Sequence, residues 1–269
     1  MKNRTVICHY HIYKNSGSTF DRVLHGCYGD HHVAFDSPIP HFQTNQDQLA
    51  EIVTHNPALI SLSSHQIYLP LPSTMAFRPV GVVFVRHPLL RIRSIYRFEQ
   101  PSFPEQSDAG DDKFEEWARE KLDSAQQQLL VSNAQTNQLC RPYGRAPRFE
   151  EREGTRVYDI DQAITNLNQV QCLGRTEHFD ADVARFIPIL ATYGLPFDPK
   201  EGLAENTSSN DFREPMQQQL DSMKGSLTDE TWERLLHCNH QDLELYDYVS
   251  ALIEQRSANG FPTYLSDNI

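Results

Sequence analysis

The sequence predicts an α/β fold, a three-layer sandwich in which helices flank a central, mainly parallel sheet. Short β-rich runs alternate with segments of helical periodicity along much of the chain. The run Val80–Arg86 is almost continuously apolar, as expected for a strand that is buried on both faces of a parallel sheet. A short loop of small residues joins the first strand to the first helix. We expect one domain over residues 1–269, with a helical and loop insertion at about 100–156.

The first predicted strand runs from Thr5 to Tyr13 and leads into the loop Lys14-Asn15-Ser16-Gly17-Ser18-Thr19, after which a helix begins. Gly17 allows a ligand to approach the backbone closely, and Ser18 or Thr19 can cap the helix. The free amides at a helix start favour an anion such as phosphate or sulfate. The arrangement is P-loop-like, but Lys14 precedes the glycine, whereas the Walker pattern places its lysine after it. An ordinary turn with an exposed lysine is the alternative.

The second predicted strand, at residues 58–64, ends at His65. We expect an irregular loop at residues 25–44 and a short helix at about 45–55 before this strand. Ligands of open α/β sheets lie beyond the carboxyl ends of the strands, so His65 is expected to face the same crevice as the first loop. A structural role for this histidine is the alternative. The other N-terminal histidines have no regular ligand spacing, so we expect no metal site.

The third predicted strand ends at Arg86 and is followed by a helix at about 89–98. Arg91, Ser94 and Arg97 recur along one face of this helix. An arginine at the strand end and a serine on the helix suit a phosphate monoester, because a guanidinium binds such a group bidentately and a hydroxyl can donate to it. A solvated basic helix face is the alternative.

The sequence of the second half of the chain predicts further helices and one short strand. A helix is expected at about 113–130, followed by an arginine-rich loop at 140–156. Arg145 and Arg148 of this loop can contact an acceptor, although pairing of its arginines with the neighbouring glutamates is the better interpretation. A helix at 158–167, a strand at 170–174, a helix that ends near Tyr193 and terminal helices follow, and Thr228 is expected to cap one of these.

Composition excludes several classes of protein. The formal net charge of −12 argues against binding of nucleic acid or of an anionic membrane through bulk charge. No apolar run approaches the roughly 20 residues that span a bilayer, and the N-terminus has no signal-peptide core. The five cysteines are widely spaced and form no CxxC pair, which argues against a disulfide framework or a structural zinc site. We therefore expect a soluble, cytoplasmic protein without a membrane span or a nucleic-acid partner.

Two segments, Tyr13-Lys-Asn-Ser-Gly-Ser-Thr19 and Val85-Arg-His-Pro-Leu-Leu-Arg-Ile-Arg-Ser-Ile-Tyr96, resemble the signature motifs of sulfotransferases that use 3′-phosphoadenosine 5′-phosphosulfate (PAPS). The resemblance implies that PAPS is the co-substrate, that 3′-phosphoadenosine 5′-phosphate (PAP) is the product, and that no metal is required. It also implies that Lys14 is the catalytic lysine. The implied phosphosulfate loop consists of Lys14, Asn15, Ser16, Gly17, Ser18 and Thr19, and the implied 3′-phosphate ligands are Arg86 and Ser94. Tyr13 and His87 depart from the Pro and Asp that are common at these motif positions.

His65 resembles the catalytic base of the carbohydrate 2-O-sulfotransferase-like branch. The implied reaction is in-line transfer of a sulfuryl group to a hydroxyl of a carbohydrate, a glycolipid or a small alcohol. Arg91, Arg145 and Arg148 are the candidate acceptor-binding residues, and Glu99 or Asp36 is the candidate base if His65 is not. Residues 172–179 and 242–246 resemble later segments of the family.

Two other functions stay open. A kinase-like phosphotransferase is disfavoured, because the Walker Lys-Ser/Thr pair and a clear Mg²⁺-binding aspartate at a strand end are both missing. A catalytically silent nucleotide-binding protein has the same loop without the transfer. Binding and transfer assays separate the three.

Overall fold

The computed structural model describes residues 4–39, 42–99, 113–141, 148–199 and 214–259. The strands of this part are β1 (Thr5–Tyr10), β2 (His32–Ala34), β3 (Ser61–Ser64), β4 (Arg78–Val85), β5 (Glu150–Arg152), β6 (Thr155–Val157) and β7 (Cys172–Arg175). The α-helices are α1 (Gly17–Tyr28), α2 (Gln46–His55), α3 (Pro88–Glu99), α4 (Phe114–Asp123), α5 (Ala134–Cys140), α6 (Ile160–Asn168), α7 (Phe179–Thr192), α8 (Met216–Gly225), α9 (Asp229–Cys238) and α10 (His240–Asn259).

The central sheet has the strand order β2-β3-β1-β4-β7, and each neighbouring pair within it is parallel. In this register Tyr10 lies opposite both Ser64 of β3 and Val83 of β4. The carboxyl ends of the three middle strands therefore meet at one edge of the sheet. This arrangement confirms the predicted α/β fold with a mainly parallel sheet.

The two faces of the sheet pack against different helices. Val80, Val82 and Phe84 of β4 share a buried cluster with residues of α1 and α7. Val83 and Val85 point to the other face and join a cluster that includes residues of α2, α6 and α10. Alternate side chains of one strand thus enter opposite cores. Burial of both faces explains why the sequence of β4 is almost continuously apolar. Helices on both faces of the sheet give the three layers.

A third buried cluster lies against the first loop. It contains Leu89, Ile92 and Tyr96 of α3 with Trp117 of α4 and residues of α8 and α9. Tyr13 is partly buried against this cluster. The helices beyond the sheet edge therefore support the loop that follows β1.

Residues 25–44 contain regular structure that the sequence analysis missed. Helix α1 continues to Tyr28, and β2 forms an edge strand paired with β3. The three-residue strand is too short to show an alternating pattern. The strand is defined by its main-chain pairing with β3, and its buried residue, His32, adds a contact of 2.9 Å between Nδ1 and the Ser61 hydroxyl of β3.

The predicted loop at 140–156 is also wrong in its second half, where β5 and β6 form an antiparallel hairpin. Glu153 and Gly154 both have positive φ angles, 49° and 74°, as a tight two-residue hairpin turn requires. The predicted pairing of loop arginines with glutamates is confirmed for Arg152, which donates to Glu150. The predicted helix at 113–130 is interrupted, because α4 ends at Asp123 and a 3₁₀ turn follows it.

The other predicted helices and strands are present with shifted bounds, and the Thr228 cap is confirmed, because its hydroxyl accepts from the amide of Thr231. The predicted cap of the first helix is wrong, because α1 begins at Gly17 and both Ser18 and Thr19 lie inside it. The cysteines are all free thiols. Among the residues described above, no helix is both long and apolar enough to cross a bilayer.

Candidate active site

The sheet brings three predicted site residues to one edge. Lys14, His65 and Arg86 follow the carboxyl ends of β1, β3 and β4, which are adjacent and parallel. Open α/β sheets bind ligands at this edge. The three residues, which are separated by up to 72 positions in the chain, therefore lie at the same edge of the sheet.

The loop after β1 has a tightly constrained backbone. Lys14 and Ser16 adopt left-handed conformations, with φ angles of 65° and 59°. Between them, the buried Asn15 side chain donates from Nδ2 to the carbonyl of Phe84 at 2.9 Å and to Oε1 of Gln135 at 2.7 Å. The loop is thereby tied to the end of β4 and to α5.

Gln135 joins the loop to the second motif, and the sequence analysis did not identify it. Its Oε1 accepts from the amide of Arg86 at 2.9 Å, and its Nε2 donates to the carbonyl of Arg86 at 2.8 Å. The buried Asp242 carboxylate of α10 in turn accepts from the main-chain amides of Gln135 and Thr136, at 3.0 and 2.7 Å. One buried amide thus fixes the position of Asn15 relative to Arg86.

Two cationic side chains lie beside the loop. Arg86 donates from Nη1 to the carbonyl of Lys14 at 3.1 Å, and its Nε lies 3.7 Å from Oε1 of the buried Glu177. Burial raises the pKa of Glu177, and the charge of Arg86 partly opposes this. Lys14 places Nζ 4.3 Å from the ring centroid of Phe98, and burial together with the charge of Arg86 lowers the pKa of Lys14. Two adjacent and partly desolvated cations are suited to an anion with more than one charge.

The start of α1 has polar groups that remain available to a ligand. The Ser16 hydroxyl is buried, caps no amide of α1 and has no hydrogen-bond partner among the described residues. The amides of Gly17 and Ser18 stand at the start of the helix and carry partial positive charge, whereas the amide of Thr19 already donates to the carbonyl of Ser16 at 3.1 Å. An anionic group at this position would satisfy both. The residues present therefore fit the phosphosulfate end of a nucleotide donor.

Among the other predicted loop residues, Ser18 is exposed at the start of α1, and Thr19 is buried. The hydroxyl of Thr19 accepts from Nη2 of Arg22 at 3.4 Å. Ser18 is thus accessible to a ligand, whereas Thr19 already has a partner within the helix.

His65 is oriented by the main chain of β1. Its Nδ1 lies 2.8 Å from the carbonyl of His11, and a carbonyl can only accept, so Nδ1 carries the proton of the neutral ring. Nε2 then keeps its lone pair and can accept a proton. The amide of His65 donates to Oδ1 of Asp36 at 2.9 Å, and the Ser64 hydroxyl donates to the same oxygen at 2.8 Å.

A stack of histidines extends from His65 into the protein. The rings of His65 and His11 have centroids 3.7 Å apart, and those of His11 and His9 are 5.4 Å apart. Asp21 of α1 lies behind the stack, with Oδ1 3.1 Å from Nδ1 of His9 and Oδ2 3.7 Å from Nδ1 of His11. Residues two apart in a strand share a face, so the spacing of His9 and His11 was a signal that the sequence analysis did not use.

Gly17 has a role beyond the predicted approach of a ligand. A Cβ atom at this position would lie 1.7 Å from Cδ2 of His11. Only glycine therefore leaves room for the His11 ring beneath α1. The described residues contain no group of three or more His, Cys, Asp or Glu side chains arranged to hold a metal ion, the histidine stack included.

Arg91 and Ser94 lie on α3 behind the loop. Arg91 is buried and donates from Nε to the carbonyl of Tyr13 at 3.0 Å and from Nη1 to that of Leu130 at 2.9 Å. Burial lowers the pKa of Arg91 to about 10. The side chain predicted to bind the acceptor thus supports the backbone of the loop. Ser94 is half-buried.

The other predicted residues lie elsewhere. Arg148 is exposed next to the hairpin, and Arg145 lies outside the described residues. Glu99, an alternative base, accepts from Nε1 of Trp117 at 3.0 Å and lies 2.9 Å from Nζ of Lys121. Its carboxylate is therefore already engaged within the protein.

Comparisons with known proteins indicate the family of the chain. The sequence matches the model of the sulfotransferase family over residues 1–249. The chain is also similar to an uncharacterized protein of Archaeoglobus fulgidus, with 22% identity over 255 residues that cover 92% of this chain and 96% of that protein. The family match includes the loop after β1, the end of β4 and the first half of α10. The chain therefore belongs to the sulfotransferase family.

Proposed function

We propose that this protein transfers the sulfuryl group of PAPS to a hydroxyl group of an acceptor, with His65 as the base. Family membership supports sulfuryl transfer in general. The observation that carries the proposal is the placement of Lys14 and His65 at the ends of adjacent strands, with a cation on one side and an available Nε2 on the other. A sulfuryl group that lies between them would have the cation of Lys14 on one side and Nε2 of His65 on the other.

On the donor side, Lys14, the Ser16 hydroxyl and the first amides of α1 would bind the phosphosulfate. These groups stabilise the negative charge that develops on the bridging oxygen as its bond to sulfur breaks. We assign Arg86 and Ser94 to the 3′-phosphate. Binding energy from this distant group fixes the orientation of the reacting centre.

On the acceptor side, the hydroxyl oxygen attacks the sulfur in line with the bridging oxygen. The new oxygen–sulfur bond forms as the old one breaks, PAP leaves, and the hydroxyl proton moves to Nε2 of His65. The two alternative bases, Asp36 and Glu99, already accept hydrogen bonds within the protein. This engagement favours His65. Assignment to the 2-O branch stays a prediction that depends on the position of His65.

We place the acceptor in a cavity of about 590 Å³ between the end of β2 and helix α2. Asp36, which bonds the amide of His65, lies at this cavity. Its lining includes Phe35, Phe42 and Ile52, together with Glu51. A few polar groups among apolar ones are typical of small-molecule sites.

None of the described residues that line this cavity is Lys or Arg. Its two carboxylates would repel an acidic acceptor, so we propose an uncharged or amine-bearing sugar, glycolipid or small alcohol.

We also propose a single domain over residues 1–269. The predicted insertion at about 100–156 includes α5, whose Gln135 contacts both motifs of the site. Helix α5 therefore supports the proposed site.

The proposal is tested with Lys14→Ala and Arg86→Ala. Lys14→Ala is expected to abolish transfer of labelled sulfate from PAPS, while PAP affinity measured by calorimetry stays within about tenfold. Arg86→Ala is expected to weaken PAP binding about 30-fold, or about 2 kcal/mol, because a charge-assisted contact is lost. Lys224→Ala is the matched control, because Lys224 of α8 also lies over an aromatic ring, that of Trp232. It is expected to behave as wild type.

Other outcomes would contradict the proposal in different ways. Equal turnover of wild type and Lys14→Ala would exclude Lys14 from catalysis. Thermal stabilisation by ATP with Mg²⁺ but not by PAP would indicate a kinase-like enzyme. Binding of PAP without transfer to any hydroxylated compound would indicate a silent nucleotide-binding protein. Transfer mainly to acidic sugars, in a screen that includes uncharged and amino sugars, would contradict the acceptor class.

A further inference from the structure

His11 has no chemical step in the proposed reaction, yet it contacts the proposed base in two ways. Its ring lies face to face with that of His65, with centroids 3.7 Å apart and planes 28° apart. Its main-chain carbonyl lies 2.8 Å from Nδ1 of His65. These contacts constrain which nitrogen of His65 carries the proton and how the ring is turned.

We propose that His11 is the positioning residue of His65, an inference that rests on the proposed function. The carbonyl of His11 keeps the proton of neutral His65 on Nδ1, so Nε2 is free to accept the proton of the acceptor hydroxyl. The stacked ring of His11 prevents the imidazole from turning away from this carbonyl. A ring turned by half a revolution about its Cβ–Cγ bond would place Cε1, which has no lone pair, near the former position of Nε2, and it could not accept the proton there.

The ring of His11 is itself held on several sides. It stacks on His9, and the absence of a Cβ at Gly17 provides the space that it occupies. Nδ1 of His9 lies 3.1 Å from Oδ1 of Asp21 and 2.8 Å from the Ser63 hydroxyl. Strands β1 and β3 and helix α1 therefore all contribute to the orientation of the stack. This rigidity is what a positioning residue requires.

Charge around the stack also favours the reaction. Burial, assisted by His9 and His65, lowers the pKa of His11 to about 3, and Asp21 only partly opposes this. A neutral His11 does not repel the positive charge that His65 acquires with the proton. Burial raises the pKa of Asp21, but hydrogen bonds from His9 and Ser63 outweigh this and bring it to about 2. Asp21 is therefore a fixed negative charge behind the stack.

Two variants separate the ring of His11 from its carbonyl. His11→Phe keeps both a flat ring and the carbonyl, whereas His11→Ala keeps only the carbonyl. We expect kcat to fall about 100-fold in His11→Ala and less than about tenfold in His11→Phe, while KM for PAPS and PAP affinity stay within about threefold. His32→Ala is the control, because His32 of β2 is another buried histidine that contacts a serine of β3. It reports the cost of losing a buried histidine and is expected to leave kcat unchanged.

A second measurement does not depend on activity. With ¹⁵N-labelled histidine at about pH 8, where an ordinary histidine is neutral, nuclear magnetic resonance distinguishes the two tautomers of His65. The signal is assigned by its loss in His65→Gln. We expect the Nδ1–H tautomer in wild type and in His11→Phe, and a mixture of both tautomers in His11→Ala.

The two measurements have distinct negative outcomes. An Nε2–H tautomer in wild type, or wild-type kcat in His11→Ala, would overturn the positioning role. If His11→Ala does not fold, the wild-type tautomer and the kcat of His11→Phe still decide. Absence of sulfate transfer in wild type, with the Nδ1–H tautomer present, would overturn the proposed function and leave the tautomer assignment standing.

Discussion

Gln135→Met is expected to weaken both the fold and the proposed nucleotide site, because one buried side-chain amide connects Asn15 with the main chain of Arg86. The side-chain oxygen of Gln135 accepts from the Arg86 amide and from Asn15, and its nitrogen donates to the Arg86 carbonyl. Methionine has a similar length but cannot replace these contacts. The main-chain bond from residue 135 to Asp242 is retained in the variant.

The loss of stability follows from the groups left without partners. The amide and the carbonyl of Arg86 both lose the Gln135 side chain in a buried position, and each unsatisfied buried group costs about 1–3 kcal/mol. Asn15 retains its bond to Phe84, so its contribution is smaller. The expected total is about 2–6 kcal/mol, a large part of the roughly 5–15 kcal/mol that stabilises a typical domain.

Urea unfolding measures this loss, and Gln128→Met provides the control. Gln128 also donates to a main-chain carbonyl, that of Gly154 at 2.8 Å, but in an exposed position. Its replacement is expected to change the free energy of unfolding by no more than about 0.5 kcal/mol. Calorimetry is expected to show weaker PAP binding for Gln135→Met at a temperature where it is folded. A free energy of unfolding within about 0.5 kcal/mol of wild type would refute the reasoning.

Two further predictions concern His87 and Arg91. Burial, followed by the charge of Arg86, lowers the pKa of His87 from 6.5 to about 4. The native state then binds fewer protons than the unfolded state between these values, so the free energy of unfolding falls by up to about 3 kcal/mol as the pH drops through this window. His87→Phe is expected to lose less stability than wild type in urea titrations at about pH 7 and 4, and equal losses would contradict this. Arg91→Ala removes donors to two carbonyls and is expected to lower both the melting temperature and PAP affinity, whereas the exposed Arg152→Ala changes neither.

The sequence predicted those parts of the candidate site that depend on a local pattern of residues. Val80–Arg86 is recognisable because both faces of β4 are buried, so its apolar run has no polar interruptions. Once the strands are parallel, their carboxyl ends share an edge, and Lys14, His65 and Arg86 come together without any knowledge of tertiary contacts.

The parts that were missed depend on contacts between distant segments. Gln135 lies in a polar stretch, and Asp242, its main-chain partner, is 107 residues away. Neither has a local pattern that distinguishes a buried hydrogen-bonding group from a solvated one. Strand β2 is likewise defined by its pairing with β3 and not by its own three residues. Such features become visible only when the chain is folded.

The loop after β1 shows how such contacts change the meaning of a predicted motif. The sequence predicts that Gly17 lets a ligand approach the backbone closely. In the structure Gly17 is the first residue of α1 and leaves room for the His11 ring, and the left-handed residues of the loop are Lys14 and Ser16. Non-glycine residues in that region cost roughly 1–3 kcal/mol each and persist only where the surroundings impose them. Here the side chains of Asn15 and Arg86 form the restraining hydrogen bonds. The backbone of Lys14 is therefore fixed before any ligand binds, and under the proposed function Lys14 would stabilise developing charge with little reorganisation.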